Sequence, residues 1–308
     1  MQRIVSCVRL ALPKATHTIV WLLKLMLPVA LLVSFLQYWG VMDWLSGYLS
    51  PVFTHIGLPG ASSIVFITSL FLPLYSALAV IATLTLGMRE VTILAIMCLI
   101  SHSLIIETAV QKRTGSSVIN MVVVRVGMSF VAALLLNWLL PTTGFAVSHS
   151  TEQAVHLTVV TDVLWLWAKN SIVLIVKVSL ILYGLFILQN MLNEYSLLNK
   201  ISEVFAPLMR FLGLSREVSF LWFVAQTLGL AYGSAVVIEQ VEKGVVRKQD
   251  ANMLNYHIAV NHSLLEDTLL FTSIGVSVAW IVVPRIGLAL LLVWGIHAIR
   301  RIFPNVKL

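Results

Sequence analysis

The sequence predicts an all-α polytopic membrane protein made of two inverted-topology repeats with broken or re-entrant helices. The chain of 308 residues is 59% hydrophobic and 11% charged, whereas a soluble domain carries about 25% charged residues. Long apolar runs, such as residues 171–188, fit spanning helices rather than the alternating strands of a membrane barrel. A polar motif also occurs twice, at a constant offset of 160 positions.

The repeated motif places ionisable side chains inside apolar sequence. The eight residues Ser101–Thr108 (SHSLIIET) recur as Asn261–Thr268 (NHSLLEDT). Eighteen residues after the acidic position, each copy has an arginine, Arg125 or Arg285. With about one chance identity per twenty positions, the shared His, Ser, Leu, Thr, Arg and Gly are not coincidental. Ionisable groups at membrane depth are expensive, so they indicate a functional site by default.

The same order of elements in both halves predicts the domain organisation. Each half has a first span, an amphipathic stretch, an apolar segment containing Pro or Gly, the motif segment and a last span. The predicted units are an amphipathic N-terminal segment (1–17), a first repeat (18–141), an extracytoplasmic linker (142–165), a second repeat (166–299) and a cytoplasmic tail (300–308).

Loop charge indicates how the repeats are oriented. If one segment per repeat does not cross the bilayer, most basic clusters, including Arg89 and Lys112, fall on one side. The loops at 40–60 and 141–162, which contain no Lys or Arg, fall on the other side, and only the basic loop at 243–248 breaks the pattern. The positive-inside rule therefore favours inverted repeats, with both termini in the cytoplasm. Inverted repeats with broken helices are the architecture of many secondary transporters.

Polar residues of the motif segments form the candidate site. On a helix, Ser103 and Glu107 are i,i+4 neighbours, as are Ser263 and Asp267, so a short helix can present hydroxyl and carboxylate groups beside an imidazole. The alternative is a re-entrant tip whose side chains satisfy freed backbone groups. The candidate substrate-binding residues are His102, Ser103, Glu107, Thr108, Arg125, Asn261, His262, Ser263, Glu266, Asp267, Arg285, Tyr75, Tyr232 and Gln226.

The two arginines need partners, because an isolated guanidinium near mid-bilayer costs several kcal/mol. Arg125 and Arg285 are expected to form salt bridges with Glu107 and Asp267, within one repeat or between repeats. The functional alternative is an arginine that binds an anionic or hydrogen-bonding substrate while the carboxylate relays a proton. Both hold if a ligand or proton breaks the pair during turnover.

The segments that precede the motifs carry three of these candidates. Tyr75 and Tyr232 lie in segments with Pro or Gly, and Gln226 precedes the second tyrosine. Small residues there allow either a close helix crossing or a hinge whose tyrosine lines a cavity.

The doubled His-Ser…Glu/Asp-Thr segments, the Gly-Leu-Pro-Gly sequence at 57–60 and the twin arginines resemble the nucleoside-recognition, or Gate, domain family of membrane proteins. Relatives of that kind are the Gate repeats of bacterial ferrous-iron permeases, the spore maturation proteins A and B and, more distantly, the concentrative nucleoside transporters. The resemblance covers about residues 18–140 and 172–299. It implies a transporter-like fold and supplies no substrate.

The resulting functional prediction is a secondary transporter or permease-like protein, not an enzyme, for a small polar solute that is nucleoside-like or anionic. The site is expected at the repeat interface near the membrane midplane. A divalent-metal permease is an alternative, because imidazole and carboxylate groups ligate such ions. A non-transporting membrane subunit that binds a partner or senses a ligand is another.

The expected surroundings follow from the same features. The partners predicted are the lipid bilayer, a small polar solute, a coupling ion (H+ or Na+) and a second copy or partner membrane subunit. No nucleic acid and no cofactor is expected, and with two cysteines the sequence offers neither a disulfide framework nor a thiolate metal site. The predicted location is the bacterial cytoplasmic (inner) membrane.

Overall fold

The computed structural model describes residues 2–141, 159–195 and 197–303, which form helices and, within those ranges, no strand. The helices of the first half are α1 Gln2–Tyr38, α2 Val41–His55, α3 Ser62–Phe71, α4 Leu74–Ile81, α5 Met88–Ser101, α6 Leu104–Arg113 and α7 Val118–Leu139. Those of the second half are α8 Val160–Glu194, α9 Leu197–Phe211, α10 Ser219–Glu242, α11 Lys248–Val260, α12 Leu264–Thr272 and α13 Val278–Ile302. The predicted all-α class is confirmed.

Four apolar segments among the described residues are long enough to cross a bilayer. They are Met88–Arg113, which joins α5 and α6 across a break, Val118–Leu139, Val160–Leu188 and Val278–Ile302. Each has at least 22 residues, and about 20 suffice to span the hydrocarbon core. The large apolar side chains on their outward faces are the surface that lipid tails require.

The apolar segment before each motif is broken in its middle by a different residue type. In the first half Pro73 follows Leu72, whose backbone is extended (φ −118°, ψ 163°) and ends α3. The helical region of φ and ψ is disfavoured for the residue before a proline, so the position of Pro73 predicts this break. In the second half Gly229 interrupts α10 with φ 67° and ψ 172°, a backbone region that essentially belongs to glycine.

The first broken segment, α3 plus α4, enters and leaves the bundle at the same end. Arg89, at the start of α5, donates to the carbonyl and the Oδ1 of Asn137 at 2.8 and 2.6 Å, near the end of α7. Gly57, before α3, lies so close that an added Cβ would sit 2.0 Å from Asn137 Oδ1. Residues on both sides of α3–α4 therefore meet at one end, and this segment is re-entrant.

The second broken segment, α10, behaves in the same way at the other end of the bundle. Arg247, which precedes α11, lies 3.9 Å from Glu217, which precedes α10. Ser116, in the turn between α6 and α7, donates to Asn252 of α11 at 2.6 Å. The start of α11 thus shares an end with the α6–α7 turn, opposite Arg89 and Asn137.

The first helices of the two halves run antiparallel. Asn190 of α8 donates to the carbonyl of Cys7 at 3.2 Å, and Trp167 donates to the carbonyl of Leu27 at 3.3 Å. Residue numbers therefore rise along α1 as they fall along α8. This is the relation that inverted repeats require.

These contacts correct the predicted side of the membrane for two of the basic clusters. Arg89 was expected on the same side as Lys112, but α5 and α6 together span the bundle and place the two at opposite ends. The basic loop at 243–248, the expected exception, instead lies with the majority. The end of the bundle that we call the basic end carries Arg9, Lys14, Lys112, Arg113, Arg210, Arg216, Lys243, Arg247, Lys248, Arg300 and Arg301.

Helix bounds differ from the predicted domain limits in three places. Helix α1 is continuous across residue 17, so the N-terminal segment and the first span are one helix. Helix α8 begins at Val160, inside the predicted linker, and α13 runs to Ile302. The rest of the linker and residues 304–308 of the tail lie outside the described residues.

The re-entrant assignment predicts a labelling pattern. In a background with Cys7→Ser and Cys98→Ala, cysteines replacing Glu217 and Lys243 should react with a membrane-impermeant maleimide from the same side. A cysteine replacing Thr85, in the loop before α5, should react from the opposite side. Right-side-out and inverted vesicles provide the comparison. Reaction of the first two positions from opposite sides would show that α10 crosses the bilayer.

Candidate functional site

The site lies where α5 passes into α6 and where α11 passes into α12. Ser103 (φ 48°, ψ 37°) and Ser263 (φ 51°, ψ 34°) adopt the left-handed conformation, and they are the non-glycine residues with positive φ in the described chain. Such a backbone costs on the order of 1–3 kcal/mol. The re-entrant segments hold both breaks, because Ser103 N donates to Ser69 O at 2.8 Å and Ser263 N donates to Ala225 O at 2.9 Å.

Arg125 closes the first break. Its Nε donates to the carbonyl of Ile100 at 2.9 Å and its Nη2 to the carbonyl of His102 at 2.7 Å. The same Nη2 lies 2.8 Å from Glu107 Oε2. The guanidinium is fully buried, and it satisfies carbonyl groups that the broken helix leaves without partners in a medium free of water.

Arg285 repeats this arrangement in the second half. It donates to the carbonyls of Val260 at 3.3 Å and His262 at 2.5 Å, and its Nη2 lies 3.3 Å from Asp267 Oδ2. The expected salt bridges are therefore confirmed, and both join partners within one repeat. Neither guanidinium is exposed.

The two halves meet at their histidines. The rings of His102 and His262 lie with centroids 5.1 Å apart. Glu107 Oε1 is 3.2 Å from His102 Nε2 and 3.3 Å from His262 Nε2. One carboxylate oxygen of the first repeat thus contacts the imidazoles of both repeats, and all three side chains are buried.

The other ring nitrogens decide what this cluster can hold. His102 Nδ1 lies 3.1 Å from the carbonyl of Cys98, and His262 Nδ1 lies 2.7 Å from the carbonyl of Ile258. A carbonyl only accepts hydrogen bonds, so each Nδ1 carries the proton. In a neutral imidazole Nε2 is then an acceptor, and it faces the carboxylate of Glu107, another acceptor. The contact is favourable once a proton or another cation is shared among the three groups.

At the acidic position of the motif, the side chains of the two repeats differ in length by one methylene group. Asp267 occupies the position of Glu107, and the shorter side chain contacts Arg285 without reaching an imidazole in the described contacts. Glu266, whose counterpart in the first repeat is Ile106, accepts a hydrogen bond from the Tyr75 hydroxyl of the opposite repeat. The site therefore has three carboxylates: Glu107 lies between the histidines, Asp267 pairs with Arg285, and Glu266 accepts from a tyrosine.

The remaining predicted residues have smaller roles. Gln226 donates to the carbonyl of Asn261 at 2.6 Å, which fixes the re-entrant helix against the second break. Ser103 Oγ donates to the carbonyl of Leu72 at 3.4 Å. Thr108 is buried next to Glu107 and Ser263 is buried at its break. The side chain of Tyr232 lies outside the described residues.

Several buried polar residues near the site were missed from the sequence. Asn255 and His257 on α11 and Gln111 on α6 are at most 1% exposed. The available signal was the density of polar residues along α11, where Asn252 and Asn261 flank them. None of the three belongs to the duplicated motif, because the matching positions in the other repeat are the apolar residues Ala95, Met97 and Phe271.

Together, the paired breaks and the buried ion pairs define a polytopic helical membrane protein with an internal polar site. The family described as "Gate: Nucleoside recognition" matches residues 19–117. The "Uncharacterized membrane protein YvoD" of Bacillus subtilis (strain 168) is 31% identical over 279 residues, which are 89% of this chain and 88% of that protein. No solved structure matches the chain. The chain belongs to the Gate, or nucleoside-recognition, family of membrane proteins.

Replacing Arg125 should reveal its double role. Arg125→Ala leaves Glu107 as an unpaired buried charge and should lower the free energy of unfolding by about 3–5 kcal/mol. Adding Glu107→Gln should recover part of this loss, because the carbonyls of Ile100 and His102 still lack their donor. Denaturant unfolding in detergent measures both variants. Arg113→Ala, at an exposed helix end, is the matched control and should change stability by less than about 0.5 kcal/mol. Full recovery in the double variant would show that the carbonyl contacts contribute nothing.

Proposed function

We propose that this protein is a cation-coupled secondary permease for a small polar solute, nucleoside-like or anionic, and not an enzyme. The observation that carries the proposal is the cluster of His102, Glu107 and His262, three acceptors that face one another across the repeat interface. It needs a proton or another cation, and it draws its ligands from both halves of the molecule. Membership of a family of permease-like membrane proteins supports the same class.

The two guanidinium groups supply the part of the site that suits an anionic or hydrogen-bonding solute. Arg125 Nη1 and Arg285 Nη1 are buried and have no hydrogen-bond partner among the described residues. Each arginine keeps its Nε and Nη2 on backbone carbonyls, so a solute acceptor could be bound without dismantling the break. A guanidinium also binds planar acceptors such as carboxylates in a bidentate way.

The charge distribution supports an orientation. The basic end carries both ends of the described chain and nearly all loop Lys and Arg residues, while Arg89 at the opposite end is held by Asn137. By the positive-inside rule the basic end is cytoplasmic. We therefore place the protein in the bacterial cytoplasmic (inner) membrane with both termini cytoplasmic and the linker outside.

A second candidate function is a divalent-metal permease, which the geometry of the same cluster favours. Ligand atoms of His102, Glu107 and His262 all lie within 4.8 Å of one another. Two of the separations, 3.2 and 3.3 Å, are close to the roughly 3.3 Å expected between ligands of a tetrahedral zinc-like ion bound at about 2.0–2.1 Å. In this version the metal ion is the cargo.

The coupling role of Glu107 predicts an asymmetry between the repeats. In proteoliposomes loaded with a pH-sensitive dye, solute addition should move protons in the wild type, and Glu107→Gln should reduce that flux at least about tenfold, the effect of 1.4 kcal/mol. Asp267 has no described contact with an imidazole, so Asp267→Asn should retain coupling per folded protein, although it should lower stability because Arg285 loses its carboxylate partner. Glu239→Gln, on an exposed surface pair with Lys243, is the control and should behave as wild type. Equal losses for Glu107→Gln and Asp267→Asn would contradict the assignment.

The solute panel for that assay comes from ligand-induced stabilisation. Nucleosides, organic anions and divalent metals are added to the purified protein, and a ligand at one hundred times its Kd should stabilise by about 2.7 kcal/mol. If no compound stabilises the protein and no flux occurs, a non-transporting membrane subunit becomes the better interpretation.

The metal candidate makes its own prediction. Zn²⁺ or Mn²⁺ should raise the unfolding temperature of the wild type, and His102→Gln or His262→Gln should abolish the rise, because each removes one of three ligands. His55→Gln, at an exposed helix end, should leave it unchanged. A rise that survives His262→Gln would place the metal elsewhere.

A further inference from the structure

The two repeats meet along two equivalent seams, one between α6 and α11 and one between α12 and α5. The two seams are lined by different kinds of side chain. Towards the basic end, Gln111 lies one turn after Glu107 on α6 and Thr114 directly follows the helix, and both are fully buried. Asn255 of α11 donates to Thr114 Oγ1 at 2.8 Å and to the carbonyl of Gln111 at 3.3 Å. It also donates to Ser116 Oγ at 2.8 Å. A polar path thus leads from the carboxylate to the end of the bundle.

Further bonds extend this polar seam towards the surface. Ser116 donates to Asn252 Oδ1 at 2.6 Å, and Asn120 of α7 donates to the hydroxyl of Tyr256 at 3.2 Å. All these bonds join the first repeat to the second. Their partners are hydroxyl, amide and carbonyl groups that can exchange one another for water at small net cost.

The equivalent seam at the opposite end is largely apolar. Thr92, at the position of Asn252, donates to the carbonyl of Met88 within its own helix. Phe271, Ile274 and Val276 occupy the positions of Gln111, Thr114 and Ser116. They pack in one hydrophobic cluster with Ala95 and Ile96, which occupy the positions of Asn255 and Tyr256. Opening this seam would expose mainly apolar surface to water, which is unfavourable.

Buried polar atoms with no described partner occur on both sides of the site. The hydroxyls of Ser62 and Ser63 on α3 lie towards the opposite end, and a group of amide and ring atoms lies on the basic side. His257 has neither ring nitrogen bonded, and Asn261 has neither side-chain atom bonded. Trp222 Nε1 and Gln226 Oε1 on the facing re-entrant helix are in the same condition. The rings of His257 and Trp222 are 6.2 Å apart. Buried polar groups are normally paired with protein or water, so this cluster provides bonding positions for water or a polar solute.

We infer that the seam around α11 is the hydrated route by which water, protons and the small polar solute pass between the His–Glu–His cluster and the basic end. The apolar seam at the opposite end is the barrier that stays closed while this route is wet. The inference rests on the proposed function for the identity of the solute, but the hydration of the route does not depend on transport.

Thiol accessibility tests the route with controls that the duplication supplies. In the Cys7→Ser, Cys98→Ala background, Gln111→Cys and Phe271→Cys place a thiol one turn from the motif carboxylate of each repeat. A small impermeant methanethiosulfonate reagent should modify Gln111→Cys from the basic-end side at least tenfold faster than it modifies Phe271→Cys from either side. The pair Ser116→Cys and Val276→Cys repeats the comparison with milder substitutions, should the deeper variants fail to fold.

The outcomes separate the route from the function. Equal rates in both pairs, faster reaction on the apolar side, or no reaction at any position in folded protein would overturn the inference. Labelling of the polar seam in a protein that shows no flux would support the route and count against the permease. Solute flux in a protein whose polar seam is not labelled would support the permease and count against the route.

Discussion

The backbone carbonyls that two broken helices leave without partners determine how the arginines, carboxylates and histidines of this structure are placed. A helix interrupted in the middle of a bilayer leaves carbonyl groups that neither water nor the helix can satisfy. Here an arginine on the following helix donates to two of them, and the nearest carboxylate balances its charge. The arginines are therefore structural before they are functional, and their cost at membrane depth is offset by the backbone they complete. The re-entrant helices stabilise the same breaks, because a carbonyl of each accepts a hydrogen bond from the amide of the left-handed serine. The positions of both histidines follow from these contacts.

The all-α class, the duplication and the arginine–carboxylate pairs were predictable from sequence because each is a local or register property. The composition identified the bilayer as solvent, and the constant offset aligned His102 with His262. The identity of the re-entrant segment was not predictable, because the tip of a hairpin and a break in a crossing helix have the same signature of Pro, Gly and small polar residues. The contact between Arg89 and Asn137 distinguishes the two, and it joins residues far apart in the chain.

The same reasoning explains what was missed at the site. A search for duplicated polar residues finds those that the repeats share and passes over those that make the repeats differ. Asn255, His257 and Gln111 belong to the second kind, since their counterparts are Ala95, Met97 and Phe271. Whether Glu107 reaches both imidazoles also depends on the distance between the repeats, which no local pattern encodes. For the same reason the sequence does not decide whether each arginine pairs with the carboxylate of its own repeat or with that of the other repeat.

The carboxylate shared between His102 and His262 has a mechanical consequence. Its two imidazole contacts come from different halves of the molecule, so the affinity for a bound cation depends on how closely those halves approach. By thermodynamic reciprocity the cation in turn favours the spacing at which it binds best. In the proposed permease, an ion at this point would act as a removable cross-link whose binding and release change the relative position of the two repeats.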